Sequence, residues 1–244
     1  MTQDSVAQKV RATVAAQPPG ALLTWQDFDV APDQVGALTQ ALSRLYRQGG
    51  LRRLTKGLYY KPAQGLLGEV IPAYDEVLAR LLRLYRRNIS YITGVNVYNK
   101  MGLTTQISRE FVIATDRPRQ PLQLQGLSVR FTEAYFKDPV EDVSLVQILD
   151  ALADIRRIPA TSPSQAAQVL QGQLRRLTFN QRRELVKCAR TYPPQTRALT
   201  GFLLARLGAS DLAQELRSSL NPFSRYRIGL DDSSFPDKRA WYIQ

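Results

Sequence analysis

Apolar residues along this chain change period twice, and the changes divide it into residues 1–64, 65–138 and 139–244. In the first stretch Val6, Val10 and Val14 recur at helical spacing, and Pro18-Pro19-Gly20 ends that helix. Leu22-Leu23-Thr24 reads as a short extended piece, with Thr24 the N-cap of a brief helix containing Trp25 and Phe28. Pro32 then turns the chain and Asp33 is the expected next N-cap. Val35, Leu38, Leu42 and Leu45 follow as the inward stripe of a longer helix that Gly49-Gly50 stops. Leu51 to Tyr60 alternates about Gly57, as a two-stranded hairpin does. Helix, short helix, turn, helix and hairpin, in that order, are the parts of a winged helix-turn-helix.

The second stretch mixes periods. Val77, Leu78, Leu81, Leu82, Leu84 and Tyr85 mark a helix beginning near Tyr74, with Arg80, Arg83, Arg86 and Arg87 over much of its remaining surface. A shorter helix is expected over Val95–Lys100, with Gly102 as its left-handed cap. Strand-like runs follow at Phe111–Ala114, Leu122–Leu124 and Leu127–Phe131. Beyond residue 139 the pattern is helical: Val143–Ile155, a helix opened by Ser162-Pro163 and running to Leu177, then Phe179–Thr191, Gln195–Leu207 and Ser210–Leu220. Residues 235–244 carry no clear pattern. The fold class is therefore α+β: an N-terminal winged helix-turn-helix, a small α+β middle domain and a helical C-terminal region.

Composition narrows the function classes. Of 244 residues, 44% are apolar, enough for a buried core, and 33 lysines and arginines against 21 acids leave a formal net charge of +12. That balance favours a polyanionic partner. Histidine is absent and Cys188 is the one cysteine. Imidazole-based catalysis, His-ligated or thiolate zinc and an internal disulfide are thereby excluded. No phosphate-cradling loop occurs, and the adjacent acids Glu141-Asp142 and Asp231-Asp232 read as helix-start or loop residues. Trp241 and Tyr242 read as a packed tail. No catalytic residue, metal ligand or cofactor is expected, nor any membrane span, and a cytoplasmic setting is.

Charge is concentrated where the hairpin and its preceding helix lie. Between Gln34 and Pro62 stand Arg44, Arg47, Arg52, Arg53, Lys56 and Lys61 with no acid, so 6 − 0 gives +6, half the net charge of the chain. The helix turns Thr39, Gln40, Ser43, Arg44 and Arg47 outward. Arginine pairs bidentately with guanine, glutamine with adenine, and serine or threonine with phosphate or a base edge. Arg52, Arg53 and Lys56 are expected on backbone phosphates or in the adjacent minor groove, and Lys61 is counted with them among the DNA-binding residues. The expected partner is a double-stranded DNA operator, and a homodimer is compatible with it although neither a heptad nor a swapped strand shows.

The run Leu42-Ser43-Arg44-Leu45, Gly49-Gly50-Leu51-Arg52-Arg53-Leu54 and Lys56-Gly57-Leu58-Tyr59-Tyr60-Lys61-Pro62 resembles the AbiEi-like antitoxins of type IV toxin–antitoxin systems. So do Gly68, Pro72, Thr93-Gly94, the stretch Asn99-Lys100-Met101-Gly102-Leu103-Thr104-Thr105-Gln106, and Asp154 to Pro159. The resemblance implies a non-enzymatic repressor of its own operon that neutralises a nucleotidyltransferase-type toxin. Asn99, Thr104, Thr105 and Gln106 have two readings, a partner or ligand surface, or a Gly102-capped helix whose polar residues satisfy the following loop. Two rival functions stay open: a DNA-targeted, metal-dependent nuclease, and a ligand-responsive winged-helix regulator with no toxin partner.

Overall fold

The structure is a computed structural model that describes residues 5–66, 68–84, 89–117, 119–124, 126–136 and 140–244. It is a mixed α+β protein. The chain forms two compact units, residues 1–87 with 121–128 and residues 88–120 with 129–244.

In the first unit, α1 (Val6–Ala16) starts on a capping box. Ser5 Oγ accepts from the Gln8 amide at 3.3 Å, and Gln8 Oε1 accepts from the Ser5 amide at 2.9 Å. Strand β1 (Leu22–Thr24) leads into a 3-10 turn at Trp25–Asp27, where Asp27 Oδ2 accepts from the Thr24 amide at 2.6 Å. A second 3-10 turn at Pro32–Gln34 runs directly into α2 (Val35–Arg47). Asp33 is thus inside the first turn and not the N-cap the sequence suggests. Proline at the first position, with its preset φ, starts the winding two residues earlier, with Ala31 as the cap. The inward stripe of α2 is Leu38, Ala41 and Leu42 with half-buried Leu45, while Val35 is 36% exposed and so lies off it.

At the end of α2 Gly49 takes φ +78°, and the Gly50 amide returns to the Leu45 carbonyl at 2.9 Å. Strands β2 (Arg52–Thr55) and β3 (Leu58–Tyr60) form the hairpin, with Gly57 at φ +84° in its turn. The sheet order is β1-β3-β2, all antiparallel, with Leu23 opposite Tyr59. Val10, Val14, Leu23, Phe28, Leu38, Leu42, Leu51 and Tyr59 pack together beneath it. The two-residue strands β4 (Gln64–Gly65) and β5 (Gly68–Glu69) and helix α3 (Tyr74–Leu84) follow. The arginines expected at 86 and 87, like Tyr85, lie outside the described residues.

The second unit opens with β6 (Ser90–Thr93) and the short α4 (Val95–Lys100), then β7 (Glu110–Thr115), antiparallel to β6. Strand β8 (Leu122–Leu124) belongs to the first unit, as do the first two residues of β9 (Leu127–Glu133). Residues 129–133 of β9 return to the second unit beside β7. Helix α5 (Val143–Ala153) has Asp142 as N-cap and is apolar around most of its girth, so it is buried by everything that follows. Helices α6 (Pro163–Arg176), α7 (Phe179–Ala189) and α8 (Pro194–Arg206) pack against it, and α9 (Ser210–Arg217) packs on α7 and α8. Ser162–Gln165 and Thr178–Gln181 capping boxes start α6 and α7.

One continuous core joins Tyr91, Val97, Tyr98, Ala114 and Phe136 to Leu145, Leu149, Leu199, Phe202 and Trp241. That shared core groups the residues sequence reading separates into a middle and a helical domain. The tail is packed, as Trp241 implies. It ends in a 3-10 turn at Lys238–Trp241, and its indole lies over Gly201 of α8. Among the described residues no helix is long and apolar enough to cross a membrane.

Candidate nucleic-acid interface

Helix α2 buries one side and presents the other. Gly36, Ala37, Thr39, Gln40, Arg44, Arg47 and Gln48 are exposed, and Ser43 is half-buried. Gly36 and Ala37 leave the first turns of this face free of bulk, while Gln40, Arg44 and Arg47 form one row at four- and three-residue spacing. Thr39 gives its hydroxyl proton to the Val35 carbonyl at 2.9 Å, so its oxygen remains as an acceptor only.

Arg44, Arg47 and Lys56 make no ion pair among the described residues. Arg53 is exposed and donates to the Thr55 carbonyl at 3.4 Å, with no ion pair among the described residues. Arg52 differs, because β5 brings Glu69 against it with the nearest nitrogen–oxygen distance 3.3 Å. Tyr60 donates its hydroxyl to the other Glu69 oxygen at 2.6 Å. That hydrogen bond holds the Glu69 carboxyl below its ordinary pKa, with Arg52 adding to the effect. Burial, and then the bond to Glu69, push the Tyr60 phenol up to about 12. Glu69 is the one participant that sequence reading missed. It follows the acid-free run by seven residues, and the pairing of β5 with β4 folds it back.

Lys61 is placed differently from expectation. Its ammonium donates to the Ala15 and Gln17 carbonyls, each at 2.7 Å. The last carbonyls of a helix lack intrahelical donors and carry the negative end of its dipole, and a lysine there satisfies both. Lys61 therefore closes α1 and is not directed at phosphate. Arg80 has a comparable framework role, bridging Asp27 at 2.8 Å and the Leu22 carbonyl at 3.2 Å.

The residues at 99–106 form the capped loop of the second reading. Gly102 takes φ +77°, and the Leu103 amide returns to the Tyr98 carbonyl at 2.9 Å. Asn99 donates to the Thr104 carbonyl at 2.9 Å, and Thr104 Oγ1, itself buried, accepts from the Gln106 amide at 3.1 Å. Asn99 and Thr104 are thus engaged in local structure, while Thr105 and Gln106 are exposed. Asp142 caps α5, and Asp231 accepts from Ser233 and Ser234 within a turn, a helix-start and a loop role. Among the described residues no group of three acids or sulfur ligands converges to hold a metal.

A family model described as a family of unknown function (DUF6088) matches residues 9–176. No curated protein matches the chain. Among solved structures, the RV2827C protein from Mycobacterium tuberculosis aligns with 90% of this chain and 83% of its own at 15% identity, with a TM-score of 0.37. That score is too low to establish a shared fold.

Proposed function

We propose that this chain, which belongs to the DUF6088 family of unknown function, is a DNA-binding regulator whose first unit works as a winged helix-turn-helix. The reading extends to a repressor that is also the antitoxin of a nucleotidyltransferase-type toxin encoded beside it. The order α1, β1, short turn, α2 and the β2–β3 hairpin, on a β1-β3-β2 sheet, supports the first part. The observation that carries it is the outer face of α2. Arg44 and Arg47 stand there beside Gln40 with no acid paired to them among the described residues. Cations held apart from any protein carboxylate are balanced by counterions, and a duplex releases those counterions when its phosphates replace them.

On this reading α2 enters the major groove. Gln40 and Arg44 reach base edges, and Arg53 and Lys56 of the hairpin hold the flanking backbone. Antitoxin activity rests on the resemblance at residues 42–62 and 93–106 and needs no reaction from this chain.

Salt dependence tests the DNA reading. Arg47, Arg53 and Lys56, with Arg52 shared with Glu69, supply roughly three to four phosphate neutralisations beside the base contact of Arg44, hence a log–log slope of about −2.7 to −3.6. The measurement is fluorescence anisotropy of the full chain on duplex from upstream of its own gene, across a salt series. Arg44→Ala is expected to cost about 1–3 kcal/mol and relax sequence preference, whereas Lys56→Ala weakens all sequences alike. A flat salt dependence, or an Arg44→Ala protein that binds as before, overturns the reading. Co-expression with the neighbouring gene tests the antitoxin part, through rescue of growth.

A further inference from the structure

In the second unit, β6, β7, β9 and α5 line a cavity of about 340 Å³. That is the small end of the range, about 300–1,000 Å³, over which small-molecule sites occur. Asp150, on the largely apolar α5, reaches into it while only 7% exposed. Its Oδ2 accepts from the Tyr91 hydroxyl at 3.0 Å and from Thr93 Oγ1 at 2.7 Å, and its Oδ1 accepts from the Tyr192 hydroxyl at 2.7 Å. All three donors are neutral. A carboxylate offers about four acceptor positions, so one position remains on Oδ1 and the charge has no counterion. Isolated buried charge is costly, and burial accordingly raises the Asp150 carboxyl to about 6, which still leaves it mostly ionised at neutral pH.

The rest of the lining does not supply the missing cation. Arg130 is paired with Glu110 at 3.1 Å, and Arg157 with Asp154, which also accepts from Tyr98 at 2.9 Å. Four lining acids (Glu110, Glu133, Asp150, Asp154) against two arginines give −4 + 2 = −2. Asp150 and Glu133 are the two left without a cationic partner among the described residues. Tyr91, Tyr98 and the half-exposed Tyr135 bring aromatic rings to the same walls, and Val112 and Ala114 bring apolar surface. Ring faces and a carboxylate together are the chemistry that recognises an organic cation.

We propose that this cavity is a binding site for a small organic ammonium. Its N–H donates to Asp150 Oδ1, its charge is balanced by Asp150 and Glu133, and its apolar body lies against the tyrosine rings and Val112. An anion would meet no unpaired cation here, and the described residues bring no third carboxylate into the geometry a metal ion needs. The site does not depend on DNA binding by the first unit, and its test involves no DNA.

The test titrates the full chain with benzylamine, phenethylamine and putrescine, and with benzyl alcohol as a neutral compound of matching shape. Binding is read by calorimetry and by amide chemical shifts at about pH 7.5, where the amines are charged. At least one amine is expected to bind about tenfold or more tightly than benzyl alcohol, with shifts centred on Tyr91, Thr93 and Asp150. Asp150→Asn should remove that preference, and Glu133→Gln or Tyr135→Leu at the rim should weaken amine binding severalfold. Equal binding of amine and alcohol, no binding of any amine at about 10 mM, or a preference that survives Asp150→Asn overturns the proposal. Should Asp150→Asn fail to fold, the two rim variants decide, and unchanged amine binding in both is the overturning result.

Discussion

Asp150 also allows a stability test that needs no ligand. Burial raises its carboxyl from 3.8 to about 6, a little over two pH units. At about 1.36 kcal/mol per unit this is on the order of 3 kcal/mol. The folded pKa lies above the unfolded one, so the native chain holds the proton more tightly. The corresponding stability is complete below about pH 3.8 and is lost as pH rises through about 6. Asparagine has nearly the same shape and does not titrate. Its amide puts NH2 in place of one carboxylate oxygen, so the hydroxyls that donate to that oxygen must rotate, which adds an offset that does not vary with pH. Urea unfolding of both proteins from about pH 4 to pH 8 then gives a difference curve in which every other titrating group cancels. Asp150→Asn should gain on the parent by up to about 3 kcal/mol across that interval, most steeply near about pH 5. Parallel stability curves would show that Asp150 is solvated like a surface acid, and would refute the buried, uncompensated carboxylate on which the argument stands.

Other outcomes follow from single contacts. Gly201→Ala places a methyl group inside the van der Waals envelope of the Trp241 ring. Overpacking of this kind should cost about 1–3 kcal/mol, seen as a lower Tm and altered indole fluorescence. Lys61→Met leaves the last carbonyls of α1 without their donor, and a loss of about 1–2 kcal/mol in urea unfolding is expected. Its DNA salt slope should equal the parent's; a shallower slope would return Lys61 to the interface. Glu69→Gln removes the charge beside Arg52 and should steepen that slope by up to about 0.9. The same substitution should bring the Tyr60 phenol down from about 12, as followed by its ultraviolet titration. An unmoved tyrosine would show that the carboxylate does not reach it.

Much of the local architecture is legible without coordinates. The helices at 74–84, 95–100, 143–153 and 163–176 fall where their apolar periods and caps place them, and Gly57 and Gly102 take the left-handed φ their turns require. The N-cap expected at Asp33 is displaced because Pro32 competes as a helix start and moves the cap two residues back, to Ala31. These are interactions between residues within about four positions of one another, so their residue types suffice to specify them. The outward row of Gln40, Arg44 and Arg47 is legible for the same reason, since a helix has one period and Leu38 and Leu42 set its inner side.

Groups far apart in the chain meet only through packing. Lys61 reaches α1 across 44 and 46 residues, and Asp150 meets Tyr91 and Thr93 across 59 and 57. No periodicity records such pairings, because what brings them together is the burial of apolar faces belonging to other residues. Residues 121–128 pack with the first unit by the same means. Sequence alone therefore determined most of the helices, the β2–β3 hairpin and the outward, cationic side of α2. Tertiary structure decided which cations already have partners and placed an acid of a hydrophobic helix against a cavity. A carboxylate's environment is set by the three-dimensional distribution of donors and solvent around it, and its neighbours along the chain do not specify that.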